Sequence, residues 1–105
     1  MLPTVRAPLS TNLDDPHARV YFVWDQEVTT AQLRLHLQAT DPEHRALWIA
    51  RVMREARYQD VWRFLRLADI VASWPRLERH LGRMRPFWQW LLDGWRTDGL
   101  LPRAD

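Results

Sequence analysis

Seven tryptophans in 105 residues constrain this chain more than any other feature. A domain of that length buries only about two thirds of the surface its unfolded chain exposes. Some indoles must therefore close a core while others reach the outside, and an indole left outside usually meets a partner. The densest group is Trp88, Trp90 and Trp95, near the C-terminus. Trp48, Trp62 and Trp74 fall at positions suited to the seams between helices, and Trp24 to an extended segment lying over them.

With 47% hydrophobic residues the chain suits one compact domain, since it is too short for two cores. The absence of cysteine removes any disulfide framework or thiolate zinc site and favours a reducing, cytoplasmic setting. Residues 1–10 lack the charged and uninterrupted apolar regions of a signal peptide, and no apolar run is long enough to span a bilayer. The expectation is a soluble cytoplasmic protein that makes no membrane contact. Charge is unevenly placed: residues 1–44 carry three arginines against six acids, and residues 45–105 twelve against seven. Every basic position is arginine, which fits either a GC-rich coding genome or selection for guanidinium contacts.

Punctuation divides the chain into short pieces. Residues 1–19, with Pro3, Pro8, Pro16 and Asp14-Asp15, read as an extended or partly disordered leader. Val20-Tyr-Phe-Val-Trp24 is one short strand at most, or an extended segment laid across helices. Thr29 and Gln32 fit a capping box for a helix over 29–39. Asp41-Pro42-Glu43 is a strong start for a second helix over 42–57, whose Ala46, Ile49, Val52, Met53 and Ala56 share one side. Leu47 falls instead among the charges. A third helix over 58–65, capped by Asp60, competes with a strand reading, and a fourth covers 67–73. Pro75 either kinks the chain or restarts a helix running to Leu81, with Gly82 as its C-terminal cap. Pro86 opens the last helix, over 86–96, and Gly99 and Pro102 close the fold before a tail over 102–105. The predicted class is all-α: a compact bundle of about five short helices forming a single domain over 20–101, with an extended N-terminal leader and at most one short strand.

The last helix carries the sharpest functional signal. At about 100° per residue, Phe87, Trp88, Trp90, Leu91, Leu92 and Trp95 cover an arc of about 200°, roughly twice the stripe a surface helix needs. Either the helix is packed on two sides, or one edge, at Trp90 or Trp88, is open to another chain. Arg76, Arg79, His80, Arg83 and Arg85 form a basic cluster facing only Glu78 in the local sequence. Its place at a helix C-terminus has a structural explanation in the dipole. Binding of nucleic acid, or of an acidic protein surface, is the functional one. A second ridge comprises Arg51, Arg54, Arg57, Arg63 and Arg66, and places Arg51 and Arg54 one turn apart beside Leu47.

Catalysis has little support. The four histidines are scattered, no metal-ligand spacing is present, and three glycines make no phosphate-binding loop. No cofactor and no metal site is expected. The candidate partner-binding residues are therefore Leu47, Arg51, Arg54, Arg76, Arg79, Arg83, Arg85, Trp88, Trp90 and Trp95.

The run Arg54-Glu-Ala-Arg-Tyr-Gln-Asp-Val-Trp-Arg-Phe-Leu65, with Trp74-Pro-Arg-Leu77 and Leu81-Gly-Arg-Met-Arg-Pro-Phe-Trp88, resembles a group of small bacterial proteins encoded beside AbiEii-type nucleotidyltransferase toxins. The resemblance spans residues 20–101. It implies a non-enzymatic companion, antitoxin-like, that binds a nucleotidyltransferase. Typical antitoxins of such systems carry a winged helix for DNA, and this chain lacks the paired strands of a wing. A protein partner, either the toxin or a second copy in a homodimer, is therefore favoured over nucleic acid.

Overall fold

The computed structural model describes residues 7–101. Among them are five α-helices: α1 (Thr30–Leu37), α2 (Pro42–Glu55), α3 (Tyr58–Phe64), α4 (Leu67–Leu77) and α5 (Arg85–Thr97). Two 3-10 turns, Glu78–His80 and Gly82–Met84, join α4 to α5. The all-α expectation holds, and the single short strand acquires a partner: β1 (Leu9–Ser10) pairs in parallel with β2 (Arg19–Val20).

That pairing, together with Leu13, which is buried in the core, fastens residues 7–19 to the helices. Between the two strands residues 11–18 run through bends and turns rather than extended backbone, and Leu13 reaches the core from there. The segment's polar residues satisfy the backbone as it turns: Asn12 accepts from the Asp14 amide at 3.3 Å and Asp15 from the His17 amide at 2.9 Å. Residues 1–6 and 102–105, including the predicted tail, lie outside the described residues. The Val20–Trp24 run leaves the strand after Val20 and turns, sending Phe22 and Val23 into the core.

The local start signals work as expected. Thr29 and Gln32 form the reciprocal capping box, at 3.2 and 2.9 Å, and Asp41 accepts from the Glu43 amide at 3.0 Å with Pro42 in the first turn. α2 lies at the centre, touching α1, α3, α4 and both 3-10 turns. Ala46 and Ala50 allow close approach there, while Ile49, Val52 and Met53 fill the interior. Leu47 stands outside, as its position among charged residues implied.

Two helix ends are set by distant residues. The N-cap of α3 is Arg57, not Asp60, and has no side-chain cap of its own. Instead the Tyr21 hydroxyl accepts from the Arg57 amide at 2.8 Å and donates to Asp60 at 2.6 Å. Burial, and then the bond to Asp60, hold the Tyr21 phenol above its ordinary pKa. At the C-terminal end of α2, where the last carbonyls have no helical partner, the Trp88 indole N–H donates to the Met53 carbonyl at 3.0 Å.

α4 does not stop before Pro75 or restart at it. Pro75 lies in its last turns, where the missing N–H forfeits a single hydrogen bond, and the helix continues to Leu77 before tightening into the 3-10 turn. Gly82 adopts a positive φ of 53° as predicted for a cap. Gly99, at φ 79°, closes α5: its amide donates to the Arg96 carbonyl at 3.1 Å and the Leu100 amide to the Trp95 carbonyl at 2.8 Å. This is the paired bonding of a Schellman motif.

Candidate interaction surface

α5 is held down by rings rather than by close backbone packing. Trp88 and Leu92 are fully buried, and Leu91 and Trp95 are half-buried against the core. Trp62 of α3 meets Trp88 edge-on at 5.8 Å and Trp95 at 6.1 Å, while Tyr58 lies 6.0 Å from both Trp88 and Phe87. Trp88, at 1% exposure, is thus a core residue, which corrects its place among the binding candidates. Its position two residues before Trp90 puts it about 200° around the helix, on the side facing α2 and α3.

The predicted arc is real, and one edge of it is open. Trp90 is 69% exposed, and Phe87, Tyr58 and Leu100 are exposed beside the seam. Phe87 links inside to outside, with its ring 5.7 Å from Trp88 and 6.5 Å from Trp90. The local sequence carries no signal for Tyr58 at this edge and marks Phe87 only as a member of the arc. Trp95 sits at the margin, its indole turned towards Trp62.

The arginine cluster is largely paired. Glu43, at the start of α2, receives Arg76 at 3.2 Å and Arg79 at 2.8 Å, and Glu78 receives Arg85 at 3.1 Å. The local sequence hides this, because Glu43 lies far upstream. Arg83 makes no ion pair among the described residues.

The second ridge disperses. Arg57 lies over the Tyr21 ring, Arg63 pairs with Asp14, and only Arg51 and Arg54 remain beside Leu47. Together with Gln26 and Trp48 they line a cleft of about 230 Å³. Leu47 is 49% exposed, and Trp24, 59% exposed, reaches within 5.8 Å of the Arg51 guanidinium. Trp24 therefore does not cover the core as predicted: the turn that buries Phe22 and Val23 carries it outward. Arg51 is only 14% exposed, pairs with Asp25 and donates to the Phe22 carbonyl at 3.3 Å. Burial, with the neighbouring Arg54 charge, lowers its pKa from the usual arginine value. Arg54 donates to the His80 carbonyl at 2.6 Å and pairs with Glu55 at 2.9 Å. Both guanidiniums tie distant parts of the fold together while Arg51 and Arg54 line the cleft.

The histidines are less scattered than the sequence implied. His36 Nδ1 lies 3.0 Å from His44 Nε2 across the α1–α2 corner, and the His36 ring stacks on Trp48 at 4.2 Å. Desolvation, then the charge of His44, lowers the His36 pKa from 6.5. Among the described residues no group of three or more histidine or acidic side chains is placed to hold a metal ion, and no helix is long and apolar enough to cross a membrane.

Comparison with protein-family models, with curated proteins and with solved structures returned no match.

Proposed function

We propose that this protein is a non-enzymatic protein-binding module, acting as an antitoxin-like companion of a nucleotidyltransferase toxin through its Trp/Arg-rich C-terminal surface and the Leu47 cleft. The observation that carries this reading is the aromatic edge of α5: Phe87 and Trp90 extend beyond the seam that Trp88 and Leu92 already fill. Exposed tryptophan beside arginine is the side-chain chemistry of energetically dominant interface positions. A half-exposed leucine lining a cleft with Arg51 and Arg54, where Arg51 also lies under the Trp24 ring, offers a second anchor point of the same kind. The identity of the partner rests on the sequence resemblance described above. The ion pairs of Arg76, Arg79 and Arg85 weigh against a nucleic-acid role, because each phosphate would have to displace a carboxylate already in place.

Co-expression with an AbiEii-type nucleotidyltransferase tests the proposal. A complex that survives high salt is expected, since apolar burial dominates its stability, and Leu47→Asp together with Trp90→Asp should abolish it. Failure of the two proteins to co-purify, with this chain folded, overturns the assignment.

A further inference from the structure

The outward face of α5 combines a protrusion and a gap one turn apart. Trp90 is the protrusion. Gly94, four residues later and about 40° around the helix, is the gap, for a Cβ built there would meet nothing within 4 Å. Nothing in the chain's own packing requires glycine at that position. Its φ is not positive, no neighbour approaches it, and glycine weakens a helix interior relative to alanine.

From this spacing we infer that the α5 face closes on a second copy of the chain, with the two α5 helices antiparallel about a twofold axis near residue 92. That operation lays each Trp90 indole over the bare backbone of Gly94 in the other copy, as an isologous contact requires. It also brings the two ends of the helix together. Arg83 and Arg85 stand at the N-terminal end, and Asp98 at the C-terminal end. Neither Arg83 nor Asp98 forms an ion pair among the described residues. In the antiparallel pair residue 86 is level with residue 98, so Arg83, in the 3-10 turn just before α5, falls near the level of the partner's Asp98, while Arg85 lies about 140° around the helix from Trp90 and keeps its pair with Glu78. The helix dipoles oppose one another favourably in the same arrangement.

The contact is modest in size. Thirteen residues of helix extend about 20 Å. A face of that length is small beside the ~800 Å² per partner of a standard interface, so the expected association is weak and reversible. The inference rests on the reading of α5 as an interaction surface. It assigns that surface an occupant for the chain in the absence of the nucleotidyltransferase.

Sedimentation equilibrium of the full chain over a concentration series is the primary test. Reversible dimerisation is expected, weakened about tenfold or more by Trp90→Ala. Gly94→Gln should abolish it although it favours the isolated helix, so a folded, strictly monomeric variant is the expected result. Arg83→Asp and Asp98→Arg should each weaken self-association, whereas an equimolar mixture of the two should form a heterodimer. A monomeric mass at every concentration overturns the inference, as does a dimer insensitive to both Trp90→Ala and Gly94→Gln. Either result leaves the nucleotidyltransferase reading to its own test, co-purification of that protein with the folded chain.

Discussion

α2 and α5 are the two longest helices of the fold, and they are held by opposite means. α2 begins at a strong local signal, lies between neighbours on several sides, and uses alanines to admit them closely. α5 begins without a side-chain cap and rests on one side only, separated from α2 and α3 by indole and phenol rings. Surrounded by neighbours, α2 spends its large apolar residues on its own fold, Leu47 excepted. A helix seated on one side retains an apolar edge, and the Phe87–Trp90 edge is that surplus.

The sharpest way to break this contrast is to treat the two tryptophans of α5 alike. Trp88→Ala removes a buried ring and leaves the Met53 carbonyl without its donor, and should cost about 3–5 kcal/mol in chemical denaturation. Trp90→Ala should change the stability of the monomer by no more than about 0.5 kcal/mol. Equal losses would mean that the open edge is part of the core. A smaller effect is expected for Tyr21→Phe, which deletes the hydroxyl joining the Arg57 amide to Asp60. About 1–2 kcal/mol should be lost, with the change concentrated at the start of α3. The smallest effect concerns His36. Its pKa is lower in the folded protein than the ordinary 6.5, so the unfolded chain binds more protons as the pH falls. Its contribution should be fully present above pH 6.5 and decline below it towards the folded pKa, read as a shift in urea midpoint that His36→Gln removes.

These outcomes also mark what was legible in the residues. Signals that act within one turn were readable directly: the Thr29–Gln32 box, the Asp41-Pro42 start, and Gly82 and Gly99 at positive φ. The width of the α5 arc was readable too, because it depends only on spacing. Which edge of that arc is covered was not, since that depends on Trp62 and Tyr58 arriving from α3. For the same reason the basic cluster looked freer than it is: the Glu43 carboxylate that pairs with Arg76 and Arg79 belongs to another helix. Trp24 reads as a cover for the core because a five-residue aromatic and β-branched run looks uniform, whereas the turn after Val20 divides it into buried and exposed residues. The His36–His44 contact needed the α1–α2 corner to close before it could exist.

The two remote caps have a consequence for how the chain orders itself. The amide that opens α3 is satisfied by Tyr21 and a carbonyl at the end of α2 by Trp88, from segments that lie on either side of them in the chain. A fragment holding α2 and α3 alone would lack both closures, so its junction should fray and its amides there exchange freely with solvent. In the intact protein the Arg57 amide is held by the Tyr21 hydroxyl, so its opening requires that side chain to withdraw. Protection at Arg57 should therefore report how firmly the Tyr21 segment is seated on α3, not the local strength of a seven-residue helix.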